Sequence, residues 1–98
     1  MSIPTTQQNL SLTIEGSLDA LAVETLRPQF DALVQDETDV VINMDKAEFI
    51  DSSGIGAIVF LFKRLRALDR NLSLAGVHGQ PLELMKHLRI DQSIQVNR

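Results

Sequence analysis

The sequence predicts an α/β domain: a mixed, mostly parallel β-sheet of four to five strands with three to four helices packed on it. Three observations carry that expectation. Short runs with strand periodicity alternate with longer runs at helical spacing, in the order β-α-β-α-β-α-β. The 98 residues contain no Pro/Gly/Ser-rich linker, no internal repeat and no low-complexity tract, so a single domain over residues 1–98 is expected. A hydrophobic fraction of 44% against 22% charged residues belongs to a chain that folds, not to a disordered one.

Asn9 to Glu15 places Leu10, Leu12 and Ile14 on one side and Ser11, Thr13 and Glu15 on the other. That alternation is a strand with one buried face, and Gly16 is expected to end it. Ser2 to Thr5 offers a further edge strand. From Leu18 to Val34 the spacing becomes helical, with Leu26, Phe30, Leu33 and Val34 at i, i+4, i+7 and i+8 and Asp19 as N-cap. Pro28 leaves two alternatives: a kinked helix that lacks one hydrogen bond, or a helix that starts near Arg27 with Pro28 in its first turn. Val40, Val41 and Ile42 form an unbroken β-branched run, expected to be a strand covered on both faces. Asp45 to Ile50 reads as a connection. Ser52 or Ser53 then opens a second helix that reaches Leu68. Asn71 to Val77 alternates again, with Leu72, Leu74 and Gly76 facing one way. The turn His78-Gly79-Gln80-Pro81 leads into a third helix with Leu82, Met85 and Leu88 as its inner stripe, ending near Arg89. Ile94 to Val96 is the last strand. Strands alternating with helices imply right-handed parallel crossovers.

Composition removes several function classes. The net charge of −4 and the aromatic content of 4% disfavour nucleic acid, whose phosphates call for clustered Lys and Arg. The one basic cluster, Lys63, Arg64, Arg66 and Arg70, reads as the wet side of a helix. Cysteine is absent, which excludes disulfides and thiolate sites and fits a reducing compartment. Met1 to Asn9 is polar and unlike a secretory leader, and the longest apolar stretch, Ile55 to Phe62, is too short to cross a bilayer. A cytoplasmic protein without a membrane segment is expected. His78 and His87 have no partners at ligand spacing, so no metal is expected. Gly54-x-Gly56 lacks the third glycine of a dinucleotide site, and neither a Gly-x-Ser-x-Gly elbow nor a Walker lysine occurs. No cofactor and no catalytic residue follow. A hydrolase using Ser52 or Ser53 lacks an oriented base.

The segment with chemical character is Phe49-Ile50-Asp51-Ser52-Ser53-Gly54-Ile55-Gly56. A polar turn enters an apolar helix, whose first turn presents free N–H groups and partial positive charge. Gly54 and Gly56 cost roughly 1 kcal/mol each relative to alanine in a helix, which points to close packing or close approach. Ordinary capping, by a preferred N-cap serine with an aspartate before it, is by itself a sufficient reading of the pattern. The functional alternative is a phosphorylatable serine. Phosphate adds about −1.5 to −2 charges, which a helix N-terminus accommodates and a packed partner does not. Each 1.4 kcal/mol of mismatch costs about tenfold in affinity. Such a site switches binding without unfolding the domain.

These residues carry a resemblance. Met44-Asp45 through Phe49-Ile50-Asp51-Ser52-Ser53-Gly54-Ile55-Gly56, with the earlier turn Gly16-Ser17-Leu18-Asp19-Ala20, resembles the STAS family of sulfate transporters and anti-sigma factor antagonists. It covers nearly the whole chain and agrees in element order. The Asp-Ser-Ser-Gly form is similar to the bacterial anti-anti-sigma branch, whereas transporter and lipid-transport STAS domains often lack the serine pair. Pro28 is not part of the family pattern.

The resemblance implies that Ser53, directly before the glycine, is the phosphoacceptor, with Ser52 as the alternative hydroxyl. It implies a partner-binding surface made of Asp19, Asp51, Ser52, Ser53, Gly54, Ile55 and Gly56. The implied partners are an anti-sigma factor that is a serine kinase of the histidine-kinase-like ATPase type, and a PP2C-like serine phosphatase. Unphosphorylated, the domain would capture the anti-sigma factor; it would be a substrate and a binding surface, not an enzyme. The alternative is a constitutive STAS subunit of a larger assembly, such as a lipid-transport ATPase or a stress-sensing scaffold. Within the apolar helix, Ile55, Ile58, Val59 and Phe62 are expected to face the sheet. Phe60 and Leu61 are expected on the flanks or outside, where they could support a weak homodimer.

Overall fold

A computed structural model describes residues 10–98. The strand expected at Ser2 to Thr5 lies outside them. The elements run β1 (Leu10–Leu18), α1 (Ala20–Val34), β2 (Val40–Ile50), α2 (Ser52–Ala67), β3 (Leu72–Ala75), α3 (Gly79–His87), a 3-10 turn (Ile90–Gln92) and β4 (Gln95–Val96). Among the described residues the sheet has four strands in the order β1-β2-β3-β4, and every pairing is parallel.

One core carries the fold. Ile14 and Leu18 of β1, Val40, Ile42, Met44, Ala47 and Ile50 of β2, and Leu72 and Leu74 of β3 are buried. Helix α2 adds Ile55, Ile58, Leu61 and Leu65, and α3 adds Met85. Val41 between Val40 and Ile42 is only half-buried, so β2 carries its core on one face and not on both as expected. Burial of the aliphatic chains removes apolar surface from water at about 25 cal/mol per Å², which is what holds helices to sheet.

Two expectations about the first two strands are corrected together. Gly16 does not end β1, and Asp45 to Ile50 is not a connection; both segments are paired strand. The register shifts between Thr13 and Glu15 and again between Gly16 and Ser17, and at each shift β2 carries one residue more than β1. These bulges break the two-residue alternation. In the second half of β2 the buried residues are Met44, Ala47 and Ile50, three apart. Gly16 takes the left-handed conformation at φ 73°, which glycine adopts without a Cβ penalty, and the strand passes through it.

Helix α1 begins after the N-cap Asp19 and contains Pro28 in its interior, so the late start near Arg27 does not occur. Leu61 is 1% exposed and belongs to the core, correcting its expected place on the flank; Phe60 is 59% exposed as expected. Val59 and Phe62 are half-buried at the core's margin. On α3, Met85 is buried and Leu82 half-buried, whereas Leu88 is exposed and outside the inner stripe.

Arg70 is the largest correction. It follows α2 and is 4% exposed, not part of a solvated basic face. Its guanidinium donates to the carbonyls of Thr38 (2.7 Å), Val34 (3.0 Å) and Leu33 (2.7 Å). Leu33 and Val34 end α1, where carbonyls lack intrahelical partners, so a planar fork of donors satisfies them and ties the end of α1 to the connection that leads into β2. Lys63 and Arg66 are exposed as expected. Arg64 donates to Asp31 at 2.8 Å and so bridges α2 to α1.

Candidate functional site

The ends of β1 and β2 lie side by side, with Leu18 paired to Ile50. The next residue of each strand, Asp19 and Asp51, caps a helix. Asp19 accepts from the Ala22 N–H at 3.0 Å and Asp51 from the Gly54 N–H at 3.1 Å. Their backbones are nearly identical, at φ −109°, ψ −172° and φ −113°, ψ −172°. Two parallel strands thus deliver two helix N-termini to one edge of the sheet, each with an aspartate over its orphan N–H groups.

Capping by Asp51 decides the status of the serines. The sequence left Ser52 or Ser53 to open α2; the helix does start at Ser52, but the cap is the aspartate before it. Ser52 and Ser53 are both exposed in the first turn, and neither hydroxyl is taken up by the cap.

The two glycines have different causes. A Cβ on Gly54 would lie 2.7 Å from Ile50 Cγ1 and 2.9 Å from Leu18 Cγ, and closer still to the Leu18 carbonyl oxygen. Gly54 is therefore required for α2 to sit on the ends of β1 and β2. A Cβ on Gly56 would meet nothing within 4 Å, and Gly56 is exposed. Internal packing does not explain Gly56.

Ser53 and Gly56 line a groove of about 230 Å³ between α1 and α2, together with Val23, Arg27, Phe60 and Arg64. The Arg64 guanidinium lies 5.3 Å from the centre of the exposed Phe60 ring, within cation–π range. Of the residues expected to meet a partner, Asp19, Asp51, Ser52, Ser53 and Gly56 gather around the two helix starts. Gly54 and Ile55, also expected there, are buried beneath these residues.

A model of the STAS domain matches residues 1–98. The chain belongs to the STAS-domain family. This STAS domain is 28% identical over 100 residues to the anti-sigma-B factor antagonist of Staphylococcus aureus, a match covering 99% of this chain and 93% of that protein. Its fold is also that of the anti-sigma factor antagonist SpoIIAA in its unphosphorylated form, with a TM-score of 0.70 and 20% identity over 98% of this chain and 84% of that one. A sulfate transporter family protein from Wolinella succinogenes shares the fold at a TM-score of 0.77 and 15% identity, over 90% of this chain and 75% of that one.

Two features around the helix starts were not read from the sequence. One is the Gln80 side chain, which bonds Ile50 across 30 positions. The other is the pairing of Asp19 with Asp51 as twin caps, which follows only from the register of β1 with β2. Among the described residues no group of three or more His, Cys, Asp or Glu is placed to hold a metal ion, and no helix is long and apolar enough to cross a membrane. The imidazole Nε2 of His78 lies 2.8 Å from the Asp45 carbonyl oxygen.

Proposed function

We propose that this STAS domain is an anti-sigma factor antagonist switched by phosphorylation of Ser53. Unphosphorylated, it binds and sequesters a kinase-type anti-sigma factor of the histidine-kinase-like ATPase class in the cytoplasm. That kinase places phosphate on Ser53, and a PP2C-like phosphatase removes it. The domain is the substrate and the binding surface in this cycle and does not itself catalyse a step.

The observation that carries the reading is the division of labour at the α2 N-terminus. Asp51 does the capping, which leaves an exposed serine hydroxyl in the first turn. Phosphate at that position meets free N–H groups and the positive end of the helix, so the fold tolerates it. A partner seated over the same turn would have to bury the new charge, which is strongly unfavourable. Ser53 is favoured over Ser52 because it shares the α1–α2 groove with Gly56 and Phe60, an exposed glycine and an exposed aromatic ring that the core does not use. The homology to anti-sigma-B factor antagonists supports the same partner class.

The test is intact mass of the chain from its native host, with peptide mapping of residues 45–63, and binding of Ser53→Asp to the purified anti-sigma factor. A single phosphatase-sensitive phosphate on Ser53 and lost binding by a folded Ser53→Asp variant are expected. An unmodified chain under all growth conditions, with normal binding by Ser53→Asp, would assign it instead to a constitutive assembly.

A further inference from the structure

Strand β3 pairs with β2 only as far as Asn43, yet β2 continues to Ile50. Over that last stretch the start of α3 supplies partners that β3 does not. His78 at its N-cap contacts the Asp45 carbonyl, and Gln80 in its first turn reaches Ile50. The Gln80 carboxamide oxygen accepts from the Ile50 N–H at 2.8 Å, and its NH2 group donates to the Ile50 carbonyl at 2.9 Å. A primary amide used in this way presents the same donor and acceptor pair as a neighbouring strand.

The consequence lies one residue further on. The peptide joining Ile50 to Asp51 is held on both sides: its carbonyl by Gln80, and its N–H by Leu18 through a long 3.4 Å contact. The Gln80 bond is the shorter of the two and the better formed. Asp51 then caps α2, and Ser52 and Ser53 follow immediately.

We propose that Gln80 is a positioning residue for the switch. Its amide clamp fixes the Ile50–Asp51 peptide, and through the Asp51 cap it sets the direction in which Ser53 is presented to the kinase and to the sequestered partner. The proposal rests on the phosphorylation-switch reading given above. It also makes the N-terminus of α3 the element through which a contact on that helix would be felt at Ser53.

The experiment compares wild type, Gln80→Leu, Gln80→Glu and Ser53→Asp. It measures binding to the purified kinase-type anti-sigma factor of the same host, and phosphorylation by it with ATP. Leucine fills similar space without donor or acceptor, and Gln80→Leu is expected to lose about tenfold in affinity and in phosphorylation rate while staying folded. Glutamate supplies a conditional rescue. Near pH 8, roughly four units above an ordinary glutamate pKa, its second carboxylate oxygen faces the Ile50 carbonyl, acceptor against acceptor, and the variant behaves like Gln80→Leu. Toward about pH 5 the acid form regains a proton to donate, because the facing Ile50 carbonyl favours the neutral carboxyl even at this exposed position. Binding relative to wild type at the same pH is then expected to recover in Gln80→Glu and not in Gln80→Leu.

Wild-type binding and phosphorylation by folded Gln80→Leu would overturn the clamp while Ser53→Asp still loses its partner. Normal binding by Ser53→Asp would instead overturn the switch reading, and this inference with it. Should Gln80→Leu fail to fold, Gln80→Glu decides: recovery on acidification supports the clamp, and a flat ratio to wild type overturns it.

Discussion

Gly54 packs directly against the backbone of Leu18, with no room for a methyl group between α2 and the end of β1. The neighbouring helical glycine, Gly56, faces open space. One is a requirement of the fold and the other is not, and substitutions separate them. Gly54→Ala must push α2 off the strand ends against backbone atoms, so a loss of about 1–3 kcal/mol is expected in urea denaturation. Gly56→Ala gains helix propensity and is expected to stabilise by up to about 1 kcal/mol. If Gly56 admits a partner closely, the same variant binds the anti-sigma factor more weakly despite its greater stability.

Asp51→Ala removes the acceptor from the Gly54 N–H at the helix start. A loss of about 1 kcal/mol is expected, with much less for Asp51→Asn, which remains a good cap. Chemical denaturation of the two variants side by side checks the difference. A loss equal in both would mean that charge, and not capping, is what Asp51 contributes.

Arg70→Met deletes three hydrogen bonds to carbonyls at the α1 terminus and in the connection to β2. Those carbonyls lose charged donors at a nearly dry site, and about 3 kcal/mol of destabilisation is expected. Arg70→Lys offers a point charge in place of a planar fork and is expected to recover only part of it. Thermal unfolding of both variants gives the comparison.

Pro28 lies inside α1 and is exposed. Proline cannot donate to the carbonyl four residues earlier, and its ring crowds that turn, at a cost of about 3 kcal/mol in a regular helix. Pro28→Ala is therefore expected to stabilise the domain, by less than that full cost because the native helix already accommodates the ring. An unchanged denaturation midpoint would show that the accommodation is complete.

Phe60 is an exposed aromatic ring beside Ser53 on the α1–α2 groove. Phe60→Ser is expected to change stability by no more than about 0.5 kcal/mol. Under the proposed function it weakens anti-sigma factor binding, which calorimetry would register. Sedimentation at high concentration checks in the same variant for loss of any homodimer formed through this face.

The sequence by itself determined the order of elements, because strand and helix periodicities are local properties of the chain. It placed Asp19 as a cap and marked Asp51 to Gly56 as the segment of interest, since small polar residues before an apolar helix are visible without any partner. Tertiary structure alone decided the rest. The second half of β2 was read as a connection because two bulges replace alternation with a three-residue spacing, and a bulge is a relation between strands. Arg70 was read as solvated because its neighbours in sequence are, whereas its bonds go to carbonyls 32 to 37 positions away. The same holds at the site. Why Gly54 is glycine and how Gln80 holds Ile50 depend on long-range contacts, and those exist only once the core has brought the strand ends and helix starts to one edge.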